Sequence, residues 1–386
     1  MRSAVIVDAV RTPIGRSHAE RGVYRDTRAD DLVVTCMQAL LARTGLDPEL
    51  IEDVVLGCAN QTLEQGTNIA RIAALVAGLP ATVPGTTVNR LCGSSLQAVH
   101  QAAHAIQAGA ADIQLVGGLE HMHHLPMGHG IDINPRLFQR TSKSTLLMGV
   151  TAEFLARTRG IPRDEQDRYA LESHRKAAAA YEAGAFQAEL VPAPGRDEQG
   201  NKTLIERDAC VRRDTSLSAL ASLAPAFQPD SGTVTAGNSS PLSDGAAALL
   251  MMSESTARSL GLQPLARILS TAVTGIEPSQ MGMGPVAATQ LALRRAGLSL
   301  ADVDLIEINE AFAAQVIACA RELDLPLDRT NVRGGAIAIG HPLGATGARM
   351  LTTLVHAMRD RDASIGLATL CVGLGQGMAT IVGRVD

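Results

Sequence analysis

Aromatic side chains are nearly missing from this chain of 386 residues: Phe, Trp and Tyr make up 2%, and there is no Trp at all. Its interiors must therefore be filled by Ala, Leu, Val, Ile and Met, within a hydrophobic content of 46%. With 36 glycines, such small side chains favour the close helix–sheet packing of α/β proteins. A basic excess is also lacking. The net charge of −5 and pI near 6.1 argue against a surface for nucleic acid or anionic membrane. No uninterrupted apolar run reaches the roughly 18 residues of a bilayer-spanning helix. The opening MRSAVIVDAVRTPIG enters a strand-like run at once, without the order of a signal peptide, so the expected compartment is the cytoplasm. Paired cysteine motifs are absent too. Cys36, Cys58, Cys92, Cys210, Cys319 and Cys371 lie far apart with no CxxC, which speaks against a disulfide framework and leaves free thiols for chemistry.

What the chain does contain is a faint duplication. Shifted by 252 positions (297 − 45, from Gly45 and Gly297), MQALLARTGLDPELIEDVVLG lies on TQLALRRAGLSLADVDLIEIN without a gap. The same shift sets NRLCGSSLQAVHQAAHAI on HPLGATGARMLTTLVHAM, and ADIQLVGG on ASIGLATL. Each half reads as strand, helix, strand, small-residue turn, long helix, strand. Alternation of this kind implies a mostly parallel sheet with covering helices, and two stacked halves would give a layered α/β/α/β/α core. The expected division is 1–120 for the first half, 121–248 for an inserted loop domain that returns to the first half near its end, and 249–386 for the second half. The insertion should hold helices at TAEFLARTRG and DEQDRYALESHRKAAAAYEAG, then a turn-rich section, PAPGRDEQGNKT.

In VNRLCGSSLQAVHQ, Cys92 sits at a sharp turn before a helix that begins near Ser94. A helix N-terminus favours thiolate over thiol, the arrangement a covalent Cys catalyst needs. The bland reading is an inert core cysteine. The equivalent elbow of the second half carries Gly344 in place of a thiol, with His341 just before it. If the halves pack about a pseudo-twofold, the elbows meet and His341 approaches Cys92. On a small-residue loop, this imidazole could take the Cys92 proton or stabilise an oxyanion; its bland reading is a structural hydrogen bond. Cys371 opens CVGLGQG after an apolar strand, where Gly373, Gly375 and Gly377 expose amides fit for an oxyanion hole. The same glycines suit a phosphate loop or a bulged strand. Asn309 and Glu310 end a strand and precede a helix, a ligand position in such sheets or else a helix cap. His121, His123, His124 and His129 lack the spacing of a zinc site and fit a loop lining a tunnel or a partner surface. GHPLGATG does not follow the GxGxxG order of a dinucleotide site.

NRLCGSS, NEAF, GGAIAIGHPLGATGAR and CVGLGQG together resemble the signature blocks of the thiolase family, across essentially the whole chain. The resemblance implies a five-layered α/β fold of two duplicated halves plus a loop domain. It implies that Cys92 accepts the acyl group, that His341 activates it, and that Asn309 holds a water in one oxyanion hole. Cys371 would be the acid/base, and the amides of Cys92 and Gly373 the second hole. Coenzyme A would be a substrate, with no metal and no permanently bound cofactor. Its groove would include Arg212, Ser240 and Ala236 of the TAGNSS turn, with Met148 and Phe312 at the acyl pocket. Leu147 departs from the histidine of biosynthetic members and suits a roomier, degradative pocket. LVGGLEHMHHLPMGHG and MGMGPV look most like the β subunit of the bacterial fatty-acid β-oxidation complex, which implies a homodimer paired with a hydratase/dehydrogenase α subunit in an α2β2 assembly. That branch more often has Cys-Ser at Ala345 and Thr346.

The activity implied is thiolytic cleavage of a 3-ketoacyl-CoA. The alternatives are an acetyl-CoA C-acetyltransferase, another condensing enzyme of the same fold, a non-catalytic CoA-ester-binding subunit, and a Cys-His-Asn protease. The last two would not require Cys371 beside Cys92 and His341.

Overall fold

The computed structural model describes residues 2–385. The first part of the chain forms β1 (Ala4–Arg11), β2 (Gly15–Arg16), α1 (Ala29–Thr44), β3 (Asp53–Gly57), α2 (Ile69–Val76), β4 (Gly85–Val88), α3 (Ser94–Ala108) and β5 (Ile113–His121). A stretch of different character follows, with α4 (Met148–Thr158), α5 (Arg163–Glu182), β6 (Ala193–Arg196), β7 (Lys202–Ile205) and α6 (Leu217–Ala221). The remainder gives β8 (Ser243–Ser253), α7 (Glu254–Ser259), β9 (Ala266–Gly275), α8 (Gly284–Ala296), β10 (Leu305–Ile308), α9 (Ala313–Leu323), α10 (Ala336–Ile339), α11 (Thr346–Asp360), β11 (Ile365–Val372) and β12 (Gln376–Gly383).

Side chains alternate across the strands and so build separate cores on the two faces of each half-sheet. Val54, Leu56 and Leu115 face α1 and α2. Their neighbours Val55 and Val116 face the opposite way, onto α3 and α11. Ala368, Leu370 and Met378 meet the same two helices from the other half-sheet. Leu367, Ala379 and Ile381 then turn outward onto α8 and α9. Three helix layers (α1 with α2, α3 with α11, α8 with α9) alternate with the two half-sheets in a five-layered α/β/α/β/α stack.

The strand order is β10-β11-β12-β9-β1-β8-β5-β3-β4, with β2 added to β8. The half-sheets meet through Val5↔Arg267 and Ile6↔Ala266. Parallel pairing is confined to β3 with β4 and β5, and to β10 with β11. The sheet is therefore mixed where a mostly parallel one was expected. The reason is that β8 returns from the loop domain antiparallel to both β1 and β5, and β11–β12 is a hairpin.

The duplication is visible in the elements themselves. Adding 252 to the bounds of α3, 94 and 108, gives 346 and 360, the bounds of α11. The two helices pack together at their first turns. Ser95 Oγ accepts the Ala348 amide at 2.9 Å, and a Cβ at Gly347 would stand 2.5 Å from Leu96. The expected seam between 248 and 249 falls inside β8, whose side chains are buried throughout. PAPGRDEQGNKT, read as turns, forms the β6–β7 hairpin. Arg11 at the end of β1 fastens the loop domain to the core. Fully buried, it donates to Glu189 at 2.6 Å and to both oxygens of Asp208 at 2.7 and 3.0 Å. Among the described residues, no helix is long and apolar enough to cross a membrane.

Candidate active site

Cys92 stands on a tight elbow between β4 and α3. Leu91 takes a left-handed φ of 46°, the Gly93 amide closes the turn onto the Arg90 carbonyl at 2.9 Å, and α3 begins at Ser94. Ser94 ties the elbow with its hydroxyl, donating to the Leu91 carbonyl at 2.6 Å and accepting the Arg90 amide at 2.9 Å. The sulfur is partly buried, close to the Gly373 amide. A lowered thiol pKa was expected from the helix terminus, and the structure gives the reverse. Burial pushes Cys92 up to about 11, against the pull of the Gly373 and Cys92 amides, and the Glu120 carboxylate adds to the rise. The thiol stays protonated at neutral pH and needs a base.

The facing elbow carries an imidazole. His341 is buried, with Nδ1 2.7 Å from Thr346 Oγ1 and Nε2 3.4 Å from Asn309 Nδ2. Burial, with the Arg349 charge adding, pushes the imidazole down to about 3 and keeps it neutral. No hydrogen bond joins Cys92 Sγ to His341 among the described residues, and such catalytic contacts commonly tighten only when substrate binds. Asn309 is fully buried and its Oδ1, an acceptor, has no hydrogen-bond partner, so it is free to accept from a water.

Cys371 ends β11 and is buried against Phe312, Ala311, Met281, Val234 and Ala152, with Met148 packed on the same cluster. Burial and the nearby Cys92 and Cys319 thiols push it well above its ordinary pKa. Of the three loop glycines, Gly373 faces the site. A Cβ there would lie 3.0 Å from Leu91 Cδ1 and 3.7 Å from Met148 Sδ. Gly375 instead supplies a turn at φ 77°, and Gly377 packs against the backbone of Gly284.

Arg212 and Ala236 line one cleft of about 180 Å³, together with Arg16, His174 and Ser239. Its walls do not include Cys92 or Cys371. Ser240 lies between the two regions, its hydroxyl 3.1 Å from the Ala311 carbonyl beside Phe312. The larger cleft, about 790 Å³ between α5 and α9, borders the site only through Glu310.

Residues 4–255 match the family model "Thiolase, N-terminal domain" and residues 262–384 match "Thiolase, C-terminal domain". The chain belongs to the thiolase family. It is 54% identical over 389 residues to the 3-ketoacyl-CoA thiolase of Salmonella typhimurium and 55% identical to that of Erwinia tasmaniensis, each alignment covering 100% of both chains. Human mitochondrial 3-ketoacyl-CoA thiolase superposes with a TM-score of 0.91 at 39% identity, covering 100% of this chain and 99% of that one. The Bacillus anthracis acetyl-CoA acetyltransferase gives the same TM-score, identity and coverage.

Two carboxylates of this thiolase tie the surrounding segments together; Glu120 escaped the sequence reading, and Glu310 was read there as a ligand position or a helix cap. Glu120, on β5, accepts the amides of Ala59, Asn60 and Gly344 and the Gln65 side chain at 2.8–3.2 Å, so it ties the first half to the turn after His341. A charged residue inside the apolar run QLVGGLEHM was the available signal. Glu310 does not cap α9. It accepts from Tyr169, Ser173, Asn331 and the Ile337 amide, joining the Asn309 strand to α5 and to the segment before His341. The histidines at and beyond the end of β5 make contacts within the chain. His121 is buried with Nε2 donating to the Tyr24 carbonyl, and its ring stacks on His124 at 3.8 Å. His124 reaches Glu64 at 2.9 Å and the Arg25 carbonyl at 2.8 Å, while His129 is exposed. His121 Nε2 and both ring nitrogens of His124 thus bond to chain segments distant in sequence.

Proposed function

We propose that this thiolase cleaves 3-ketoacyl-CoA with coenzyme A, giving acetyl-CoA and an acyl-CoA shortened by two carbons. The observation that supports this is the proximity of two thiols, Cys92 and Cys371, in a chain whose facing elbow carries His341, paired with Asn309. A single-thiol hydrolase would need no second thiol there.

His341 Nε2 takes the Cys92 proton, and the thiolate attacks the 3-keto carbon. The tetrahedral oxyanion forms within reach of donors; it collapses by breaking the bond between C2 and C3. The electron pair moves to C2 as the enolate of the thioester, and Cys371 delivers the proton to C2. Acetyl-CoA leaves, with the remaining acyl group held as a thioester on Cys92. Cys371, now a thiolate, deprotonates the incoming CoA thiol, which attacks the thioester. The amides of Cys92 and Gly373 meet the developing oxyanion, and collapse releases acyl-CoA and returns the proton from His341 to Cys92. Asn309, through a bound water, and His341 serve the enolate oxygen in the first half-reaction.

CoA would run from the Arg212–Ala236 cleft past Ser240 to the thiols, and Met148 and Phe312 would border the acyl chain. It enters as substrate; the chemistry requires neither metal nor redox cofactor. We further propose a cytoplasmic homodimer that associates with a hydratase/dehydrogenase α subunit as α2β2. The identity of 54–55% to bacterial 3-ketoacyl-CoA thiolases over the full chain supports the degradative reading. The test is mass spectrometry after incubation with 3-ketoacyl-CoAs of several chain lengths without free CoA. An acyl adduct on Cys92 that added CoA removes is expected; an unmodified Cys92 with every substrate would refute the assignment.

A further inference from the structure

The imidazole of His341 has one partner at each nitrogen, and together they select a tautomer. Thr346, buried at the start of α11, donates its hydroxyl proton to the Pro342 carbonyl at 2.8 Å. A hydroxyl has one proton to give, so towards His341 Nδ1, 2.7 Å away, Thr346 Oγ1 can only accept. Nδ1 must then carry the hydrogen. At the other end, the Asn309 amide nitrogen, a donor, faces a lone pair on Nε2 at 3.4 Å. The backbone is held independently, because the His341 amide donates to Ser243 Oγ at 3.1 Å, whose own proton goes to the Pro241 carbonyl at 2.7 Å. The Nε2–H form would require the Asn309 amide to turn over and the Thr346 proton to leave Pro342, whose buried carbonyl would keep only the Ala345 amide of its two donors.

We propose that Thr346 is a positioning residue that fixes His341 as the Nδ1–H tautomer, leaving the Nε2 lone pair to take the Cys92 proton. This rests on His341 being the base of the proposed reaction. The hydroxyl, not the methyl, carries the effect. A serine at 346 can make both bonds, whereas valine, nearly the same shape, can make neither.

The experiment combines single-turnover acylation with a spectrum of the ring. Thr346→Val should slow acylation of Cys92 on the order of 10²-fold, the lower range for a correctly placed acid–base group, with KM within about twofold of wild type. Thr346→Ser should recover to within about threefold of wild type, as expected if only the hydroxyl matters. Wild-type acylation by Thr346→Val, or a loss in Thr346→Ser as deep as in Thr346→Val, would overturn the inference. Two-bond ¹H–¹⁵N spectra of ¹⁵N-histidine-labelled wild-type protein, with His341 assigned from its loss in His341→Asn, decide the tautomer even if a Thr346 variant fails to fold. A protonated Nδ1 supports the inference and a protonated Nε2 overturns it. Should wild-type protein acylate with no 3-ketoacyl-CoA, the proposed reaction fails while the spectrum still reports on Thr346.

Discussion

Glu120 Oε2, from the first half of the molecule, accepts the Gly344 amide of the second half at 2.8 Å. Its other contacts are all donors as well, and burial raises its pKa while those donors pull it back. Glu120→Gln would turn an NH₂ group towards one pair of those donors, on either the Ala59/Gly344 side or the Asn60/Gln65 side. We expect a loss of roughly 2–5 kcal/mol in unfolding free energy, from about two buried donors left unmet. Urea unfolding followed by circular dichroism checks this; a midpoint like that of wild type would contradict it.

The contact between α3 and α11 makes a second prediction. Gly347→Ala would press a methyl onto Leu96 Cβ and the Leu96 backbone nitrogen, both 2.5 Å from where that carbon would sit, in the layer between the half-sheets. The helices must separate, and each carries at its N-terminus one of the two elbows of the proposed site. Turnover should fall together with stability, by about 1–3 kcal/mol for overpacking. Full activity and an unaltered melting temperature would show that the layer can relax.

His100 gives a pH dependence with a definite sign. It is buried on α3 with Nε2 2.7 Å from Thr380 Oγ1, and burial, with His104, Arg90 and Arg295 adding, holds its pKa at about 3. In the unfolded chain the ring titrates near 6.5, so between those values the unfolded state binds the extra proton. The stability this group supports is complete above about pH 6.5 and is lost as pH falls towards 3. Its share of the slope is about 1.4 kcal/mol per pH unit. His100→Gln should flatten the acid limb by that amount in urea titrations between about pH 6.5 and 4.5; an equally steep limb would count against it.

Cys371→Ala should leave CoA binding intact in calorimetry and lower thiolysis on the order of 10²- to 10⁴-fold, the range for a general acid–base group. Cys92→Ser should lose nearly all turnover, and its failure to form the covalent adduct separates it from Cys371→Ala. Near-normal thiolysis by Cys371→Ala would remove Cys371 from the proton path.

Local pattern and internal repetition made much of this molecule legible from sequence. The Gly-containing elbow at Cys92, the periodicity of α3 and α11, and their shared offset all depend on residues close together in the chain. The roles of Glu120 and Thr346 depend on partners that no local pattern specifies. Gly344 lies 224 positions from Glu120, and the tautomer of His341 follows from where a single hydroxyl proton points. The pKa of the Cys92 thiol went the other way from expectation for a similar reason: a helix terminus is visible in sequence, but the depth of burial that outweighs it is not. Placement of β8 was ambiguous because GAAALLMMS is apolar on both faces and carries no sign of which neighbours it pairs with.

The pairing of β1 with β8 has a consequence for synthesis. Ala4 finds its partner in Ser253, so the first strand leaving the ribosome has no place in the sheet until about two-thirds of the protein exists. At about 5–20 residues per second, that is an interval of roughly ten to fifty seconds. Throughout it, a segment whose every residue is destined for burial waits in water. The nascent chain is thus a natural client for a chaperone that shields apolar strands, and its yield in a cell should depend on elongation rate as well as on final stability.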